Sequence, residues 1–161
     1  MPRPDPFQPA DDAARTKARR LIVEARFAAL AALRPETGGP TVTRVALATA
    51  LDGAPVTLIS ALATHFAALQ SNPACALLVG EPGDKGDPLT HPRLTLHCTA
   101  RFLDPSGPEH AALRTHYLEQ RPKAALYIDF GDFRLVRFTV QDGLLNGGFG
   151  KAYRLAPDDL A

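Results

Sequence analysis

Residues 93–103, RLTLHCTARFL, alternate without a break: Leu94, Leu96, Cys98, Ala100 and Phe102 fall on one side, Arg93, Thr95, His97, Thr99 and Arg101 on the other. A period of two is that of a strand with one face against a core and the other toward solvent. Such two-faced strands belong to antiparallel sheets, since parallel sheets are covered on both sides. The chain therefore has to supply neighbouring strands joined by short turns.

Candidates lie on both sides. FAALAAL (27–33) is closed by the turn RPETGGP and is read as a strand. TVTRVALAT and PVTLIS flank Asp52-Gly53, a hairpin signal because Gly accepts the positive φ of a tight turn. ACALLVG is a short apolar strand, and DFRLVRFTV, a turn at Asp142-Gly143 and LLN form a last pair. Asp11 and Asp12 cap a helix with Ala14, Ala18, Leu21, Ile22 and Ala25 at helical spacing, running to about Arg26. A second helix over GPEHAALRTHYLEQR carries Ala112, Leu113, Tyr117 and Leu118 inward and ends near Arg121, before Pro122. EPGDKGDPLTHP, within residues 81–92, has no period and reads as a lid or a connector. GGFGKAYRL reads as a segment where backbone comes close to something. Many strands against few helices, without strand–helix alternation, predict a mainly β, α+β fold: an antiparallel barrel with peripheral helices. Residues 1–10 are expected as a mobile Pro-rich arm, 11–156 as one domain and 157–161 as a tail.

With 18 Lys and Arg against 17 Asp and Glu, scattered along the chain, nucleic acid is a poor partner. No apolar run has the length of a membrane span and the N-terminus lacks a signal-peptide core, so a cytoplasmic protein is expected. Cys75 and Cys98 lie in apolar strand-like runs and are expected as reduced thiols rather than metal ligands, so no metal is expected. No G-x-S-x-G, H-E-x-x-H or G-K-[ST] is present, which removes the common hydrolase and nucleotide-triphosphatase readings.

One junction carries chemistry. In LISALATHFAALQSNP (58–73), strand alternation through Val56, Leu58 and Ser60 gives way to helical spacing at Leu62, Phe66 and Leu69. A strand feeding a helix N-terminus presents free N–H groups to an anion, although a Ser there is as readily a plain helix cap. If the hairpin is centred on Asp52-Gly53, residues whose numbers sum to 105 face each other, setting Arg44 opposite Ala61 and one place from Ser60. A guanidinium so placed suits a phosphate. The strands VALA and TLIS are partly apolar on both faces, which predicts a homodimer whose second copy supplies cover.

The order RLIVEARFAALAAL, TRVALAT, LISALATHFAAL, EPG…DPL, PRLTL, YLEQRPKAALYIDFGDFRLVRF and GGFGKA resembles the flavin mononucleotide (FMN)-binding split barrels related to pyridoxamine 5'-phosphate oxidase, and within them the short haem-utilisation-type branch. The resemblance covers about residues 18–155. It implies an oxidoreductase-like homodimer with flavin in the crevices between subunits. By the same resemblance Arg44 matches a phosphate-binding arginine, Ser60 a phosphate-binding serine, His65 the histidine of LA.H, and Arg93 a polar residue reaching toward the flavin. Thr95, Lys151 and the flanking Val45, Ile59, Ala61 and Leu62 complete the implied site. Two departures stand out: Ala61 replaces a usual arginine, and Phe66 and Ala68 replace Thr and Asn. Losing a charge-assisted bond worth about 1.5 to 3 kcal/mol weakens FMN about ten- to a hundredfold. Haem binding, which needs an axial histidine, is the second implied reading, ranked lower because the chain stops soon after the barrel. A split barrel without cofactor is the third.

Overall fold

The structure, a computed structural model, describes residues 1–161. Nine strands form one sheet: β1 (Gln8–Pro9), β2 (Phe27–Leu33), β3 (Pro40–Ala46), β4 (Ala48–Thr49), β5 (Pro55–Ser60), β6 (Ala74–Val79), β7 (Arg93–Phe102), β8 (Phe133–Asn146) and β9 (Ala152–Leu155). Four helices accompany them: α1 (Asp12–Glu24), α2 (Thr64–Ser71), α3 (Pro108–Gln120) and α4 (Pro157–Leu160). The main path is β1-β9-β8-β7-β6-β2-β3, and β5 pairs with both β4 and β8. All pairings are antiparallel except β1 with β9. Strand β8 makes this possible by its length. Its first residues pair with β5, its last with β9, and β7 runs along its other edge. The sheet curls without closing, as an α+β split barrel.

The alternation that opened the sequence reading is the core's own. Leu94, Leu96, Cys98 and Ala100 of β7 are buried with Leu30, Leu77, Phe138 and Leu145. Helix α1 closes one end with Ala14, Ala18 and Ile22 buried, and the Asp11 carboxylate accepts from the Ala14 amide at 2.7 Å. At the other end Leu113 and Tyr117 of α3 pack with Val56, Leu58 and Leu135, while Ala112, expected inward, is exposed. Burial pushes the Tyr117 phenol up to about 12.

Two local expectations are corrected, the hairpin register and the turn at Asp142-Gly143. The Asp52-Gly53 hairpin is short. Only Ala48↔Val56 and Thr49↔Pro55 pair, with Gly53 at φ +87°, because the chain bends at Leu47 and β3 ladders with β2 instead. Arg44 therefore lies opposite Ala29, not Ala61. Asp142-Gly143 is no turn but part of β8, which continues through a bulge at Gln141 between the pairs Cys98↔Val140 and His97↔Asp142. GGFGK is the turn joining β8 to β9, closed by Gly147 N–H to the Lys151 carbonyl at 2.7 Å, with Gly148 and Gly150 at positive φ.

Both chain ends carry structure. Gln8 and Pro9 pair with Tyr153 and Arg154, so part of the expected arm lies on the sheet. The Asp159 carboxylate of α4 accepts from Arg15 Nε at 2.6 Å, which ties the expected tail to α1. No helix is long and apolar enough to cross a membrane.

Candidate functional site

The residues singled out by sequence fall into two groups. The first surrounds the end of β5. Ser60 is the last strand residue, but its hydroxyl neither caps a helix nor stands free. It donates to Asp132 Oδ2 at 3.0 Å and accepts from the Leu62 amide at 3.1 Å, while the Ala61 amide donates to the Asp132 carbonyl at 2.7 Å. The strand thus enters a turn first, and α2 begins at Thr64 behind Ala63, a cap without a side-chain bond. The Thr64 and His65 amides, in the first turn of α2, have no intramolecular acceptor. His65 Nδ1 lies 3.0 Å from Thr43 Oγ1 of β3, and burial holds its pKa below the ordinary value. Val45 and Ile59 are core residues, leaving only their backbone to a ligand, whereas Ala61 and Leu62 are exposed.

Would this corner hold a phosphate? It offers two free amides and no cation. Position 61 is alanine, and the guanidinium of Arg134, beside Ile59 in the ladder, is turned to the Gly131 and Phe133 carbonyls at 2.7 and 2.9 Å. The nearest charge is the Asp132 carboxylate, on the hydroxyl a phosphate would use. A dianion meets like charge there, which weakens the corner's hold on the phosphate of FMN.

The second group shares the outer face of the sheet. Directly paired residues project to the same side, so two rows can be followed across five strands. One reads Val42, Ala31, Ala76, His97, Asp142. The next reads Arg44, Ala29, Leu78, Thr95, Leu144. Arg93 lies one step further along β7, its Nη1 donating to the Leu89 carbonyl at 3.1 Å. Arg44 is exposed on the edge strand with its guanidinium 5.0 Å from the Phe27 ring centroid, beside a shallow depression that also includes Glu81. The middle of this face is apolar and lined by short side chains: Ala29, Ala31 and Ala76 carry only methyl groups, and Val42 and Leu78 are 67% and 43% exposed. Arg44, Thr95 and Arg93 are thus on one open face, separate from Ser60 and His65. Lys151 is exposed in the β8–β9 turn.

Sequence reasoning missed two features. Asp132 reaches Ser60 across 72 residues of chain, which no local pattern reveals. The pair formed by His97 Nδ1 and Asp142 Oδ1, at 2.6 Å, depends on the Gln141 bulge. Its only trace in the sequence is the change of phase in β8, where inward Val136, Phe138 and Val140 are followed by inward Gly143 and Leu145.

The model of the family described as pyridoxamine 5'-phosphate oxidase matches residues 14–146. The chain is similar to the non-canonical heme oxygenase HOZ of Arabidopsis thaliana chloroplasts, at 40% identity over 101 residues, 62% of this chain and 29% of that protein. It is also similar to a solved heme binding protein from Mycobacterium smegmatis, at 29% identity and a TM-score of 0.81, covering 99% of this chain and 61% of that one. HutZ, the heme storage protein from Vibrio cholerae, shares the fold at 20% identity and a TM-score of 0.71, covering 83% and 92% of the two chains. The chain thus spans well under two thirds of the Arabidopsis protein and just under two thirds of the mycobacterial one.

Proposed function

Because the chain belongs to the pyridoxamine 5'-phosphate oxidase family, we propose that it binds haem on the open face of its sheet, as a homodimer whose second copy covers the ligand. The observation that carries this reading is the face itself. It has a floor of short side chains at Ala29, Ala31 and Ala76, an apolar margin at Val42 and Leu78, and the cations Arg44 and Arg93 toward one side. A porphyrin is a flat apolar plate with two carboxylates on one edge, and this face has the complementary distribution. Proteins at 40% and 29% identity carry haem in their names, which supports the same reading. Haem, when bound, supplies iron-centred redox and dioxygen chemistry. The protein's residues supply the floor, hold the carboxylates and keep water out. Exposed apolar side chains at the centre of a sheet also call for cover, and a second copy meets that need. The oxygenase named for the Arabidopsis relative remains a property of that longer protein.

FMN is the second reading, favoured by the free Thr64 and His65 amides at the start of α2. Titrating purified full-length protein with haemin and with FMN separates the two. Haemin is expected to saturate with a shifted Soret band, while FMN fluorescence stays unquenched at equal concentrations. Stoichiometric quenching of FMN with an unshifted haemin spectrum would overturn the haem reading.

A further inference from the structure

We propose that Cys75 and Cys98 form a modification site: a cross-strand dithiol that a peroxide closes to a disulfide within the folded chain. The chain has two cysteines, and the register of β6 with β7 sets them directly opposite each other. Directly paired residues project to the same side of a sheet. Here it is the inner side, where Cys98 is buried with Leu96 and Ala100 and Cys75 packs against the same core. Both thiols are free. Two cysteines used only as small apolar side chains have no reason to be partners, because each would pack as well against an alanine or a valine. The pair lies on the opposite side of the sheet from the open face, so the inference does not depend on what that face binds.

The ladder geometry suits a bridge. Hydrogen-bonded and non-hydrogen-bonded pairs alternate along antiparallel strands. The Ala100 amide donates to the Pro73 carbonyl at 2.8 Å, which makes that position hydrogen-bonded, and Cys75–Cys98 is the same kind of pair two residues further on. Such pairs have Cα atoms about 5.5 Å apart, inside the span of about 4.4 to 6.8 Å that a disulfide bridges. Pairing from Ala74 to Val79 is unbroken, so the strands need not slide to bring the sulfurs together. The Cys98 thiol donates to the Leu96 carbonyl at 3.6 Å, a weak bond that leaves it able to turn toward Cys75.

The two sulfurs have different parts. Cys75, near the start of β6, is part-exposed and is where the oxidant enters, whereas Cys98 is 4% exposed. The Cys75 thiol gives up its proton and attacks one peroxide oxygen, and the departing hydroxide takes that proton as water. The Cys98 sulfur then attacks the sulfenic sulfur, and its proton leaves with the hydroxyl as a second water. Two thiols are oxidised by two electrons in all, and one hydrogen peroxide is reduced to two waters. Burial pushes the Cys75 thiol up to about 11 and raises that of Cys98 as well, so the thiolate is scarce at neutral pH. The pair therefore stays reduced through brief exposure and closes under sustained oxidant. Once closed, it clips the beginning of β6, just after α2, to β7.

The test treats the full chain with hydrogen peroxide at mildly alkaline pH, with the fold followed by circular dichroism. The expected product is a single chain lighter by two hydrogens, whose digest joins the peptides holding Cys75 and Cys98. Dithiothreitol should restore the original mass. Cys75→Ser and Cys98→Ser should each fail to lose the two hydrogens, and Cys98→Ala takes the place of Cys98→Ser if that variant does not fold. Oxidation of Cys75 to a sulfinic acid while Cys98 stays open to alkylation would overturn the proposal. So would a disulfide that joins two chains, closure that occurs only after unfolding in urea, or both thiols persisting in the folded wild type under prolonged treatment.

Discussion

At the scale of single residues, Asp132 decides how the corner at Ser60 behaves. Its carboxylate holds the hydroxyl that a phosphate would need, and Ala61 adds no positive charge. Removing the negative charge with Asp132→Asn, or adding a guanidinium with Ala61→Arg, should each raise FMN affinity about tenfold, the equivalent of one charge-assisted bond. Riboflavin has the ring without the phosphate and should gain nothing, so calorimetric titration with both ligands checks the claim. His65 makes a second residue-scale prediction. Burial depresses its pKa below the ordinary 6.5, so as pH falls through that value the unfolded chain takes up a proton that the folded state resists. Stability should therefore drop as the pH falls through the ordinary histidine range, and His65→Gln should flatten that slope in urea unfolding. His65 was legible in sequence as a residue near the strand–helix junction. Its partner Thr43 was not, because the contact depends on how α2 lies across β3.

At the scale of elements, β7 was legible because its alternation is unbroken, whereas FAALAAL is apolar throughout and fits a strand or a helix end until the structure shows its burial alternating. The stretch TRVALAT was misread for a physical reason. Leu47 and Ala48 are both buried where the chain bends from β2's side to β5's, and a run of small apolar residues conceals the change of phase. The bend is held from outside. Arg121, just past α3, donates to the carbonyls of Leu47, Gln120 and Ala25 at 2.8, 2.7 and 2.9 Å, joining β3–β4, α3 and the end of α1. Sequence reading used Arg121 only as a helix end, since three backbone acceptors leave no side-chain motif. Bonds to a charged donor contribute about 1.5 to 3 kcal/mol each before desolvation is counted, so Arg121→Met should destabilise the fold by about 3 kcal/mol or more. A lower urea midpoint at unchanged m-value is the expected outcome.

For the whole molecule, the split barrel and its helices were legible from strand count and turn chemistry, whereas the open sheet face was not. It is assembled from five strands whose outward residues are individually unremarkable: alanines, a valine, two leucines, a threonine. Only pairing register shows that they are neighbours, that Arg44 and Arg93 lie on the same face, and that His97 stands beside Asp142. The same face is proposed to bind haem and a second copy of the chain, so the two events should be linked. Light scattering coupled to chromatography, with absorbance read in the Soret region, tests this directly. The account predicts that haem elutes with a species of twice the 17.2 kDa chain mass. Haem eluting with a monomer, or a dimer that excludes haem from wild-type protein, would contradict it.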